Sequence, residues 1–416
     1  MPRRAVVGLA ILLGTGSFLA LGERAAIAAE QAKAPPPAGA PGEPAAPAPP
    51  PPGAPTEAPA PRIELWTMGQ GDQMFERFGH AALCVFDLPG TVPGDGEGGY
   101  CYNYGTTSFR DPLDLLERFL EHKARFWVSM ETSEHTLMEY NVEDRTVYVQ
   151  PLPLTDAQAR ELAYRLADDT APEHREYVYD HFVDNCTTRL RDHIDAVTHG
   201  ALHEGQDVPY GPTWRDFVRH GFSAEPAALA GEEVLLGRFM DTRPSRWQAM
   251  FHPDVLREVV AERLHVQPMV IAERAAPAPV GPPMRGRGFL VVIAILLAFV
   301  CGGLVAIGHP ITRRIGLAVC GLVLGLVAVV LYLLAFYWKI VYLHANEAAL
   351  ILLPTDLALG FLRGRALRGY LDARLALLAL VIVLSLCGVL VQPLGPIVVL
   401  AGLPLLCVRI GVRASR

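Results

Sequence analysis

The pattern of apolar and polar positions changes period several times along the chain. Arg3 and Arg4 precede an apolar run from Ala5 to Gly22, and small residues follow at Ala26-Ile27-Ala28. This predicts an export leader over 1–29, cleaved or kept as an anchor helix. Residues 30–61 are rich in Pro, Ala and Gly and include Pro49-Pro50-Pro51-Pro52, so they cannot bury a core and predict an extended spacer. Over 62–274 strand-like alternation recurs at Ile63 to Thr67, His80 to Phe86, Gly99 to Tyr104, Arg125 to Met130 and Thr146 to Leu152. Helical spacing occurs at Leu113 to Glu121 and from Thr155 to Asp168, where Thr155 caps a run carrying Ala159, Leu162, Ala163 and Leu166. An α+β domain with a small antiparallel sheet is expected. After a link over 275–287, residues 288–408 are apolar in runs: Phe289 to Gly308, Leu317 to Tyr337, Leu375 to Val391 and Pro396 to Val408, with a shorter run, Ala348 to Leu362, broken by Pro354. They predict an all-α bundle of about five transmembrane helices and a cytoplasmic tail over 409–416.

Charge orients that bundle. If every run crosses, Arg313 and Arg314, then Arg363, Arg365, Arg368 and Arg374, then Arg409, Arg413 and Arg416 share one side, while the other side holds only Arg285, Arg287 and Lys339. Residues 62 to 285 and the loop Trp338 to Glu347 then lie outside the cytoplasmic membrane. The average composition, 51% hydrophobic and 19% charged, conceals the split, and a purely cytosolic globular enzyme is excluded. The net charge of -7 arises although arginines crowd the C-terminal third, so the acidic excess lies in the middle stretch and the chain is no general nucleic-acid binder.

Of the seven cysteines, Cys84, Cys101 and Cys186 fall in the exported domain. Cys84 and Cys101 sit on neighbouring strand-like runs, and pairing them leaves Cys186 as the free thiol; the alternative is three reduced cysteines. Around Cys186 the chain reads Tyr179-Asp180-His181-Phe182-Val183-Asp184-Asn185-Cys186-Thr187-Thr188-Arg189-Leu190, with Leu190, Ile194 and Val197 at helical spacing and Gly200 as a stop. Asp184 or Asn185 is the N-cap, so Cys186 opens a helix. Free amides and the positive dipole end there favour a thiolate and offer an oxyanion site, to which Asn185 or Tyr179 adds a donor. A nucleophilic thiol needs a base, and His80 stands at the entry of an apolar strand, where a neutral imidazole is favoured. The bland reading makes Cys186 a buried capping-turn residue and His80 a satisfied core histidine. His174, His181, His193, His199 and His203 lack metal-ligand spacing, so neither metal nor other cofactor is expected. In the outer loop, His344, Asn346 and Glu347 could hold a lipid headgroup or an amine, with Asp356 deeper past Pro354; the alternative is a polar cap with an aromatic belt of Tyr337, Trp338 and Tyr342.

In order, Phe78-Gly79-His80, Tyr102-Asn103-Tyr104-Gly105-Thr106 and Asp184-Asn185-Cys186-Thr187-Thr188-Arg189-Leu190-Arg191-Asp192 resemble the periplasmic domain of the Lnb family of bacterial lipoprotein N-acyltransferases. That family is similar to circularly permuted papain-like enzymes of the NlpC and lecithin:retinol acyltransferase type, in which the histidine strand precedes an Asn-Cys helix start. The resemblance covers roughly residues 62 to 265. It implies a permuted papain-like fold, Cys186 as acyl-accepting nucleophile, His80 as its base and Asn103 as the orienter of the ring. It also implies a phospholipid acyl donor and a lipoprotein N-terminus as acceptor. A periplasmic cysteine peptidase or amidase acting on cell-wall peptides uses the same pair and is the runner-up; a non-enzymatic envelope anchor is the third reading.

Overall fold

The computed structural model describes residues 59–87 and 98–414. The expected leader and nearly all of the spacer lie outside the described residues. Seven strands form one sheet in the order β6-β4-β3-β2-β1-β5-β7. They are β1 (Arg62–Met68), β2 (His80–Phe86), β3 (Tyr100–Thr106), β4 (Arg125–Thr132), β5 (Val147–Pro151), β6 (Glu176–Val178) and β7 (Met269–Ala272). Every pairing is antiparallel. The long strands coincide with the alternating runs; β6 and β7 were not expected, because three and four residues are too short to display a period.

Both faces of the sheet are covered, which is why β1 and β2 read as nearly continuous apolar runs. One face packs on α3 (Asp156–Asp168), α4 (Cys186–Val197) and α8 (Pro253–Arg263), with Leu65, Leu83, Leu162, Leu190, Ile194 and Leu256 buried between the layers. The opposite face lies under α2 (Ser133–Val142), whose Leu137 and Tyr140 meet Trp66, Ala82 and Val149. The sequence SEHTLMEYNV carries no apolar stripe, so α2 was also missed. Cys84 and Cys101 are register partners on β2 and β3 and are disulfide-bonded, leaving Cys186 free. An amphipathic helix, α1 (Pro112–Leu120), links β3 to β4, and α5 (Trp214–Gly221), α6 (Pro226–Leu235) and α7 (Arg246–Ala249) fill the stretch before α8.

Among the described residues, four helices are long and apolar enough to cross a membrane: α9 (Arg285–Ala306), α10 (Pro310–Phe336), α11 (Gly364–Leu386) and α12 (Gly395–Ala414). The expected count of about five helices is corrected, because 348–362 is not an α-helix. It forms short 3-10 turns, Glu347–Leu350 and Pro354–Gly360, lying antiparallel along α10. Tyr332 Oη donates to Ala349 O at 2.8 Å, and further down α10 Gly325 faces Leu357 and Ala318 faces Gly360. The glycines of α10 let this irregular strap approach closely, and Pro354 breaks the helical ladder.

Asp356, fully buried in the strap, is held by Arg374 through Nε and Nη2, both at 2.8 Å, and by Tyr370 Oη at 2.7 Å. Arg374 therefore belongs within α11 and not, as the charge pattern suggested, with the loop arginines. The loop between α11 and α12 lies on the side of the sheet domain: Glu347 Oε2 accepts from Val391 N (3.0 Å) and Gln392 N (2.9 Å), and Gln392 donates to Leu236 O at 2.7 Å. Arg313, Arg363, Arg365 and Arg413 consequently gather at the far end, the arrangement the positive-inside rule requires.

An unpaired charge in this apolar setting is expensive. Arg374→Leu is expected to lower stability by about 3–5 kcal/mol, and Arg374→Leu with Asp356→Leu to recover most of the loss. Thermal unfolding in detergent micelles reads both.

Candidate active site

The loop before α4 is fixed by its own polar side chains. Asp180 Oδ1 accepts from Phe182 N at 2.9 Å and Val183 N at 3.2 Å, and Arg189 grips Asp184 through two contacts of 2.6 and 2.9 Å. Asn185 is the cap: its Oδ1 accepts from Thr187 N and Thr188 N, both at 2.9 Å, while its own N–H donates to Thr188 Oγ1 at 2.8 Å. Its amide nitrogen donates to His181 O (2.8 Å) and Phe251 O (3.0 Å). All polar atoms of Asn185 are thus engaged internally, and the structure places it as the brace of the helix start, with no donor free for a substrate.

Cys186 is set where β2 and β3 part. Their pairing runs from Val85–Tyr100 to Leu83–Tyr102 and stops there, and on its other side β3 loses register with β4 between Asn103 and Thr106. Gly105 takes φ +93°, a conformation that disfavours any side chain, and a Cβ at that position would lie 3.5 Å from Cys186 Cβ. The fork leaves the Ala81 backbone N–H without a partner on β3, and it points at Cys186 Sγ. Next to Ala81, His80 is mostly buried, and its Nε2 meets Asn103 Oδ1 at 3.3 Å. With the Asn103 oxygen as acceptor, Nε2 carries the proton and Nδ1 keeps the lone pair. By strand alternation His80 and Asn103 project toward α2, where Tyr140 stacks on the imidazole at 6.2 Å and Arg145 lies 4.6 Å over the Tyr140 ring. Cys186 comes from the opposite layer and meets the fork at the Ala81 N–H and at Gly105.

Burial, then the Arg145 charge, pull His80 down to about 4, against the bond to Asn103, so the imidazole is neutral at neutral pH. Burial also pushes the Cys186 thiol up, outweighing the Thr187 and Ala81 donors and Arg145. A thiolate stabilised by the helix start was expected; the buried site holds a thiol instead, because Asn185 consumes two of the terminal amides and desolvation outweighs the rest.

Residues 56–220 match the sequence profile of a family described as the Lnb N-terminal periplasmic domain. The stretch is an Lnb-type periplasmic domain. No curated protein and no solved structure matches the chain.

The Lnb-type match includes His80, Asn103, Asn185 and Cys186 and ends within α5, so the membrane part and its outer loop lie beyond it. That loop is nevertheless locked to the domain. Tyr342 Oη donates to Asp180 Oδ1 at 2.6 Å, and its ring packs on Phe182 at 4.7 Å, within the turn that leads to the cysteine. His344 closes its own turn through Trp338 O at 2.7 Å. Asn346 donates to Val234 O at 2.9 Å, and Glu347 takes the two amides of the α11–α12 loop with Arg238 3.5 Å away. Tyr342, Asn346 and Glu347 therefore form a clasp between loop and domain, while His344 stays within the loop, and Asn346 and Glu347 are buried.

Tyr179 stacks on Phe126 at 4.3 Å, whereas the Tyr177 hydroxyl is buried without an acceptor among the described residues, beside Gly105. Tyr177, Arg145, Ala81 and Tyr342 were not singled out for the site: a backbone amide has no side-chain signature, and the other three approach only through the fold. Of the histidines weighed as ligands, His193 meets Asp169 and Tyr104 at 2.9 Å, while His203 stacks on Trp247 and His181 on Phe119. Glu131, His135 and Glu139 bring ligand atoms within 4.8 Å of one another on a largely exposed surface.

Two outcomes follow for measurement. Alkylation of Cys186 by iodoacetamide, followed by peptide mass spectrometry, should accelerate only above the ordinary thiol value of about 9, and Arg145→Gln should move its midpoint higher still. Asn185→Ala should cost about 1–2 kcal/mol in thermal unfolding, the loss of a well-made cap.

Proposed function

We propose that this chain is a membrane-bound cysteine acyltransferase that moves an acyl chain from a phospholipid, through a thioester on Cys186, to an amine, the N-terminus of a bacterial lipoprotein. The observation that carries the reading is a free thiol at the sheet fork that takes the Ala81 N–H, the residue before Ala81 being His80, whose Nε2 meets Asn103 Oδ1. His80 Nδ1 takes the thiol proton as sulfur attacks the ester carbonyl. The resulting oxyanion is met by the Cys186 backbone N–H and the Tyr177 hydroxyl, both at the fork. Collapse breaks the ester C–O bond, the imidazolium gives its proton to the departing lysolipid alkoxide, and the thioester remains. A neutral amine then attacks the thioester carbon, His80 accepts its proton, and the returning thiolate leaves and is reprotonated.

The domain suits a lipid donor because its nucleophile turn is bonded to a loop between membrane-crossing segments through Tyr342 and Asp180. A permuted papain-like fold fits the order His80, Asn103, Cys186 and the antiparallel sheet packed on the cysteine helix. The match to the Lnb-type domain supports the lipoprotein as acceptor.

Mass spectrometry of lipoprotein N-termini, with and without this chain, tests the reading: N-acylated termini are expected only with it. Cys186→Ala should abolish the product, Cys186→Ser should trap an oxyester, and His80→Ala should slow acylation by about 10² to 10⁴ fold. Asn103→Ala should cost less, since it only orients the ring. Unchanged product with Cys186→Ala would overturn the acyl-transfer reading in favour of an envelope anchor, and cleavage of cell-wall peptides by Cys186 would favour the peptidase.

A further inference from the structure

Large aromatic rings seldom stack in full view of solvent. Phe75, on the turn Met74–Glu76, is 49% exposed and Phe109 is 40% exposed, yet their rings stack at 4.6 Å. They come from the two chain segments that leave the fork. One runs through Phe75 into His80, and the other runs from Gly105 through Phe109 into α1. The pair therefore stands at the end of the sheet that holds Cys186.

Phe109 also begins an apolar stripe. Leu113, Leu116 and Leu120 follow it at helical spacing along α1. Leu113 is 42% exposed, whereas Leu116 and Leu120 pack on Val330, Leu334 and Trp338 at the outer end of α10. The Lys339 N–H donates to Leu120 O at 3.3 Å, fixing the contact. From Leu120 to Leu113 the stripe spans about 10 Å at the helical rise, and Phe109 lies just before the helix start. The stripe starts on a membrane-crossing helix and ends at the Phe75–Phe109 pair, on the chain segments that flank the fork.

We propose that the Phe75–Phe109 pair and the Leu113 stripe form the port through which an acyl chain of a glycerophospholipid passes from the outer leaflet to Cys186. This rests on the acyl-transfer reading and adds the route by which the donor arrives. A peptide needs no apolar track joined to a span. An acyl chain leaving the leaflet does, since its methylenes must stay covered.

The test uses the full chain in nanodiscs containing alkyne-tagged dipalmitoyl phosphatidylethanolamine, with the photoreactive p-benzoylphenylalanine at position 109 or, as a control, at the exposed Tyr164. Lipid labelling from position 109 at least about ten-fold above that from position 164 is expected. Equal labelling at the two positions overturns the port, as does labelling from position 109 confined to an added lipoprotein peptide. A second readout is the ratio of acyl-Cys186 formed from vesicle phospholipid to that formed from a water-soluble short-chain thioester. Phe75→Ser with Phe109→Ser should lower this ratio about ten-fold, and an unchanged ratio overturns the port. Photolabelling needs no turnover. If wild-type chain labels lipid but never forms acyl-Cys186, the port stands and the acyl-transfer reading falls; acyl-Cys186 without labelling at position 109 has the opposite meaning.

Discussion

The arrangement around Cys186 depends on β2 and β3 separating one residue pair beyond Leu83–Tyr102. A continuous ladder would give the Ala81 amide to β3 and close the space that the thiol fills. The disulfide between Cys84 and Cys101 ties the two strands immediately before they diverge, so the fork has a fixed origin. Gly105 lets β3 bend away with a positive φ, and the register break against β4 takes up the displacement. Three separate local features thus serve one end: they open the sheet at the point where Cys186, from the α4 layer, meets the Ala81 N–H next to His80.

A second constraint comes from the membrane side. The clasp of Tyr342, Asn346 and Glu347 holds the domain against the loop between α10 and the strap, and α1 rests on the outer end of α10. The loop is in turn anchored from within the apolar region by the Asp356–Arg374 pair, whose partners lie on the strap and α11. The turn that positions Cys186 is therefore connected by hydrogen bonds and packed side chains to the membrane-crossing segments.

Much of this was legible in the sequence. The long strands, α1, α3 and the cysteine helix announced themselves through period and caps, because burial on one stripe or two faces leaves a repeat. So did four of the five apolar runs. What escaped were features whose cause is tertiary. β6 and β7 exist only as edge partners for β4 and β5, α2 is held by Leu137 and Tyr140 without an amphipathic stripe, and Arg145 gains meaning only from a stack on Tyr140. The strap failed as a predicted helix because Pro354 interrupts it, and the pairing of Asp356 with Arg374 hid in an arginine that resembled loop charge. In the site, residue types pointed to His80 and Cys186, but whether the helix start would deliver a thiolate depended on desolvation, which no local spacing encodes.

That last point bears on how the site would work. Arg145 favours a thiolate on Cys186 and disfavours an imidazolium on His80, so for proton transfer from sulfur to nitrogen its two effects oppose each other. Burial acts differently, since it raises the energy of both charged forms. Both groups are accordingly neutral at rest, a thiol and an imidazole, across the range between the lowered His80 and the raised Cys186. Charge separation then has to coincide with the arrival of the carbonyl, when the developing oxyanion can meet the Cys186 amide and the Tyr177 hydroxyl. Neutral groups would also suit the proposed entry of an apolar chain: methylenes entering the fork would displace little solvation from Cys186 and His80, whereas a preformed ion pair would lose its hydration each time a donor bound.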